Sequence, residues 1–131
     1  MSSFDISEIA LMMIHVRDQM KIFHWQTKNY AKHIASDAFV TNLTTNLDLF
    51  IETIQGKYGK RLSIKKTHKT IEFDNIDDKN IEKVLRNFAK WLSFKLPNLL
   101  DTKNFDNTEL LNIRDEILTQ TNQTLYLFSL Q

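Results

Sequence analysis

The chain has 131 residues, a formal charge of +1 from 17 Lys and Arg against 16 Asp and Glu, and no cysteine. That length suits one domain with a single core, and the charge balance gives no reason to expect a nucleic-acid binder. Without cysteine, a disulfide framework, a thiolate metal site and a thiol nucleophile are excluded, which is compatible with a reducing compartment. The apolar run "IALMMIHV" is too short to span a bilayer, and "MSSFDISE" before it is acidic where a signal peptide needs positive charge. A soluble, cytoplasmic protein with no membrane partner is expected.

Only two glycines and one proline interrupt the chain, which favours long helices. In the first segment Ile9, Met13, Val16, Met20, Phe23 and Thr27 step by four and three, the spacing of one helix face, with Ser7 or Asp5 as the cap. This predicts a helix over about 6–29. Phe39, Leu43, Leu47, Phe50 and Ile54 predict a second over about 35–56, begun by Ser36 or Asp37 and ended by Gly56 and Gly59. The connection around 28–34 is short enough to make the two antiparallel neighbours.

A third helix over about 78–96 follows "DNIDDKN" and carries Ile81, Val84, Leu85, Phe88, Trp91, Leu92 and Leu96, with Pro97 as its stop. The fourth, about 107–130, opens at "FDNTEL", where Asp106 and Glu109 form a loose capping box, and continues through Leu110, Ile113, Ile117, Thr121, Leu125 and Phe128. Between the second and third lies "YGKRLSIKKTHKTIEFDNIDD", too long for a hairpin turn and long enough to run the length of a bundle. The fold predicted is all-α: a single-domain four-helix bundle with one long crossover between helices 2 and 3, the arrangement of ferritin-like folds. Leu62 with Ile64 and Ile71 with Phe73 alternate in a way that suits short extended pieces within the crossover.

The polar residues carry the functional reading. His24, His33 and Asp37 cluster near the first connection, while Asp48 and Glu52 form an i, i+4 pair well down the second helix. Asp37 and Asp48 point from about the same face, yet eleven residues separate them by roughly 16 Å along the axis, so they cannot hold the same ion. A second copy packed antiparallel about a two-fold axis brings its Asp48 and Glu52 against the first copy's His24, His33 and Asp37. Two identical sites per dimer follow. Imidazole and carboxylate without thiolate suit Fe(II), Zn(II) or Mn(II), and the first-row affinity order alone does not choose among them.

"FHWQTK", then a histidine, an aspartate four later, another eleven on and a glutamate four further resembles the Dps family of ferritin-like proteins. The resemblance covers roughly 9–56. It implies an intersubunit ferroxidase centre with His24, His33 and Asp37 as one half-site and Asp48 and Glu52 as the other, and Trp25 beside the iron. It further implies that Fe(II) is oxidised by peroxide or dioxygen to Fe(III) and sequestered in a homo-oligomer, at least a two-fold dimer and in that family a shell. Lys28 stands where that motif often has lysine. With "ETIQGKYG", "NIRDEIL" and "NQTLYLF", the whole chain also looks like uncharacterised ferritin-like proteins of large DNA viruses, which would place it in host cytoplasm or virion.

The sequence departs from the Dps pattern in places. The interval from His24 to His33 is nine, about three shorter than that family's, its glycine-proline is missing, and no lysine-rich amino-terminal arm supports the DNA-binding half of the activity. The Glu-x-x-His pairs of intrasubunit di-iron bundles do not occur. The second reading, from a different class, is therefore a catalytically silent helical bundle that binds or assembles through its surfaces. His15 with Asp18 reads as a surface hydrogen bond, and the run Lys57, Lys60, Arg61, Lys65, Lys66, His68, Lys69 as a solvated loop paired with the acidic residues after it.

Overall fold

A computed structural model describes residues 4–64 and 70–130. Helix α1 (Ile6–Gln26) starts at Asp5, whose carboxylate accepts from the Glu8 N–H at 3.1 Å and the Ser7 hydroxyl at 2.6 Å. It stops three residues before position 29. There Asn29, with φ −96° and ψ 117°, caps helix α2 (Tyr30–Tyr58) by accepting from the Lys32 N–H at 3.0 Å. The connection is thus Thr27, Lys28 and Asn29, shorter than the expected 28–34, and His33 sits in the first turn of α2 rather than in a loop. Asn29→Ala removes this cap and should cost about 0.5–2 kcal/mol, read as a lowered thermal midpoint. Ser36 and Asp37 do not begin the helix: Ser36 is fully buried and its hydroxyl donates back to the His33 carbonyl at 3.1 Å. At the other end Gly59 takes φ 69°, and its N–H closes on the Gln55 carbonyl.

Helix α3 (Ile81–Lys90) begins with its first apolar residue, three residues later than the expected 78, because Asp77 folds the preceding turn by accepting from the N–H groups of Lys79 and Asn80. It continues as a π turn, Trp91–Lys95, and a 3-10 turn, Leu96–Leu99. Phe88, Leu92 and Leu96 step by four twice, which on a 3.6 repeat would walk the stripe off the core; the wider turn absorbs that advance and keeps all three buried. Pro97 falls within the first turn of the 3-10 segment, where its missing N–H is tolerated, so it does not mark the stop. Helix α4 (Thr108–Ser129) has Asn107 before it; Asp106 binds the Thr108 N–H and hydroxyl instead of completing a capping box with Glu109.

The chain is all-helical among the described residues, with four helices at the corners of one bundle. Helix α1 packs on α2, α2 on α4, α4 on α3, and α3 more lightly on α1. The Asp5 N–H bonds the Leu99 carbonyl, Lys57 and Tyr58 meet Glu109 and Asn107, and the Phe23 ring lies 5.8 Å from Phe128. The first two contacts make α1 and α3, and α2 and α4, antiparallel neighbours, whereas Phe23 beside Phe128 brings the C-terminal ends of the diagonal pair α1 and α4 together, so these two run parallel; α2 and α3 form the other diagonal. Phe39 and Phe88 meet edge to face across the centre at 6.4 Å, in a core that also encloses Phe23, Phe50, Met13 and Met20.

The long connection, 59–80, joins the diagonal corners, and its described residues 70–80 run down α1. His15 bonds the Glu72 carbonyl at 2.8 Å, Gln19 bonds both the N–H and carbonyl of Asp74, Gln26 reaches Asn75, and Thr27 reaches Asp78. His15 therefore serves the connection, and Asp18 pairs with Arg17 at 2.9 Å, so the expected His15–Asp18 bond does not form. No strand forms among the described residues of the connection. Lys57 pairs with Glu109 and Lys60 lies 4.8 Å over the Phe4 ring, while Lys65, Lys66, His68 and Lys69 fall outside the described residues.

At the end of the bundle away from the first connection, the Tyr58 hydroxyl donates to Asn107 Oδ1 at 2.7 Å and accepts from the Asp101 N–H at 2.9 Å. Burial raises this phenol above the ordinary 10.0. A raised acid contributes its stability fully below the unfolded value and loses it as pH climbs through the folded one. Tyr58→Phe should therefore flatten the alkaline loss of stability above about pH 10 and cost about 1–3 kcal/mol near neutrality, since two buried groups lose their partner.

Candidate metal half-site

The three-residue connection places the last turn of α1 beside the first turn of α2, and this brings His24 and His33 face to face. Their rings stack with centroids 3.9 Å apart and planes 14° apart. Nδ1 of His24 lies 2.7 Å from the His33 carbonyl, and Nδ1 of His33 lies 2.8 Å from the His24 carbonyl. A carbonyl oxygen only accepts, so both Nδ1 atoms carry the proton. The His24 carbonyl lies in the last turn of α1, beyond the reach of the helix's own N–H groups, and the imidazole of His33 satisfies it. The shortened interval is thus what permits the clasp.

The two Nδ1–H bonds also decide the tautomer. In its neutral state each ring presents an unprotonated Nε2, and a ligating histidine commonly donates its other ring N–H to a backbone carbonyl or carboxylate in this way. His24 is 8 % exposed, with Ser36 packed against it, so its orientation is set by the core. His33 is half-buried and is flanked by the Tyr30 ring at 6.3 Å.

Asp37, one turn beyond His33, puts Oδ1 3.9 Å from Nε2 of His24. The same oxygen accepts from the Lys21 ammonium at 3.1 Å. That hydrogen bond, with the charge of Lys21 behind it, holds the carboxyl below the usual carboxylate range. Lys21 is a resident cation at the place where a metal would meet Asp37, and it also lies 5.8 Å over the Trp25 ring. Trp25 itself is 69 % exposed and Tyr30 77 %, so aromatic surface flanks the clasp on the outside.

Asp48 and Glu52 lie on the solvent side of α2, far along the helix from Asp37, and neither side chain has a hydrogen-bond or ion-pair partner among the described residues. Two unpaired carboxylates one turn apart repel each other modestly unless a cation is brought to them. Within one chain, and among the described residues, no three His, Asp or Glu side chains converge on a point that would hold a metal ion. The five expected ligands thus fall into the groups read from the spacing: a histidine clasp with Asp37 beside it, and a distant carboxylate pair.

Lys21, Ser36 and Tyr30 were not anticipated at this site. Lys21 had a signal in its position, three residues before His24 and four before Trp25 on α1, which places it over the same helix end.

No curated protein and no solved structure matches the chain. A family model does, over residues 24–128, a span that opens at His24 and takes in the clasp, both carboxylate positions, the diagonal connection and most of α4. The match extends over well more than half of the chain, which therefore belongs to the family of unknown function DUF5856.

Proposed function

We propose that this chain is a Dps-like, ferritin-like iron protein whose metal site is completed only when two copies pair about a two-fold axis. The observation that carries the reading is the pair of Nδ1–H bonds to backbone carbonyls, which leaves the Nε2 lone pair of each ring free, that of His24 being 3.9 Å from the Asp37 carboxylate. The unpaired Asp48 and Glu52 support it, since the partner's copies of these residues would supply the missing oxygen donors. So does the order of the helices, with one long connection joining diagonal corners of the bundle.

Fe(II) is the substrate in this scheme. Each of the two sites in a dimer would give up one electron, matching the two that hydrogen peroxide takes in forming water, and the carboxylates would offset the charge gained as Fe(III) forms. Zn(II) or Mn(II) would occupy the same donors without that oxidation and serve as competitors. Lys21 occupies Oδ1 of Asp37 and its charge would oppose any of them there. Lys21→Met should therefore tighten Fe(II) binding, on the order of several-fold, in an anaerobic titration; weaker binding would make Lys21 a positioning residue instead.

The test is anaerobic Fe(II) titration with the mass in solution measured in parallel, followed by peroxide. About one Fe(II) per chain, oxidised faster than in buffer, is expected. The second reading, a silent bundle, is favoured by the same clasp seen as a purely structural fastening sealed by Lys21. A folded oligomer that takes up no iron would establish that reading in place of the first.

A further inference from the structure

From Ile34, the positions Ala38, Thr41, Thr45, Leu49 and Glu52 recur at steps of four and three, so these exposed residues share one face of α2. Ile34 and Leu49 on it are 50 % and 51 % exposed. In a chain of which 25 % is charged, α2 has no Lys or Arg from 33 to 56. Exposed aliphatic side chains with few charges between them are the composition of an interface core. Thr45 turns its hydroxyl back onto the Thr41 carbonyl at 3.3 Å, so covering its methyl would leave no hydroxyl donor unpaired.

The face is complementary to itself. In the two-fold pairing proposed above, on which this inference rests, His33 meets the partner's Glu52 and Asp37 meets the partner's Asp48. Both pairings centre between residues 42 and 43 of antiparallel helices. About that centre, within one residue, Thr41 falls opposite the partner's Thr45, Ala38 opposite the partner's Leu49, and Ala31 opposite the partner's Gly56. A protruding leucine thus faces an alanine, twice per dimer. Glycine inside a helix is costly, and at Gly56 a Cβ would meet nothing beyond its own helix backbone within 4 Å among the described residues. Close approach of a second chain supplies the reason for it. Charge favours the same direction, because antiparallel pairing brings the partner's Asp48 to the end of α2 where Lys21 sits on Asp37.

We propose that this face of α2 is the interface with a second copy of the chain, formed before any metal binds, with Leu49 of each copy seated on Ala38 of the other. Sedimentation equilibrium of the full chain in metal-free buffer tests this. A dimer at micromolar concentration is expected. Ala38→Leu, which sets two leucines against each other, and Leu49→Ala, which empties the seat, should each weaken it at least about tenfold. Ala38→Leu/Leu49→Ala exchanges the large and small partners and should return the dimer to within about threefold of the parent. Positions 38 and 49 are roughly 16 Å apart along one helix, so that recovery cannot arise within a chain. Both are exposed, and helix content by circular dichroism should be unchanged in all three variants. His24→Asn, which removes a metal ligand and leaves this face intact, should stay dimeric. The proposal is overturned by a double variant at least as weak as the single ones, or by a monomer in metal-free buffer; a monomer that pairs only when Fe(II) is added would do so while leaving the shared metal site standing. A metal-free dimer that shows the exchange but takes up no iron upholds the interface and removes the iron reading.

Discussion

His24→Asn should leave the α1–α2 hairpin standing and remove iron binding, whereas His24→Gln should damage both. The amide nitrogen of asparagine falls where Nδ1 of histidine was, so it can still donate to the His33 carbonyl, but nothing stands in for Nε2. Glutamine places its amide near Nε2 and has no donor at the Nδ1 position. The clasp then rests on the His33 ring and the Ser36 hydroxyl alone. With His24 buried, the glutamine variant should lose about 1–3 kcal/mol of unfolding free energy. The asparagine variant should stay within about 1 kcal/mol of the parent, with Fe(II) binding lost by at least about tenfold. Denaturant unfolding and anaerobic titration on the same two proteins separate the roles, and full iron uptake by His24→Asn would leave His24 a fastening and nothing more.

The largest loss of stability is expected at the centre of α2. Phe50→Ala removes a ring with no solvent exposure and leaves a cavity between helices that are held apart by Ile54, Leu47 and the aromatic residues of the neighbouring corners. Such truncations cost about 3–5 kcal/mol. In a chain of this size that lowers the thermal midpoint by roughly 10–20 °C. Because Asp48 and Glu52 flank Phe50 on the opposite face of the same helix, this variant should also blunt metal binding as it loosens α2. Phe50→Leu, which keeps most of the volume, should recover most of both. A midpoint shift under about 4 °C for Phe50→Ala would mean that α2 is not the spine of the core.

How far the structure was legible depended on whether the deciding interaction was local. The four helix faces are readable because each repeats apolar residues at four and three, and the residues so picked from α2, Phe39 through Ile54, are all buried. The start of α2 was misplaced because Ser36 and Asp37 are good capping residues, and nothing apolar and periodic precedes them. The actual cap is Asn29, and burial of Ser36 by the clasp is a tertiary fact. The π turn has no sequence signature of its own, and its Leu92 carbonyl is taken by the Arg114 guanidinium from α4. At the candidate site, the closeness of His24, His33 and Asp37 and the remoteness of Asp48 and Glu52 follow from counting residues. The reciprocal imidazole–carbonyl bonds and the Lys21 ammonium on Asp37 do not, since both depend on how two helices are rotated against each other.

The central claim is that one metal site is built by two chains, and a heterodimer tests it most directly. One protomer carries His24→Asn and His33→Asn, the other Asp48→Asn and Glu52→Gln, with different affinity tags so that the mixed dimer can be isolated. Neither parent should bind Fe(II). In the mixed dimer one site has both defects and the other has none, so about one Fe(II) per dimer, half the capacity of the unmutated dimer, should return. A mixed dimer that stays empty, or a parent variant that keeps its iron, would contradict the shared site.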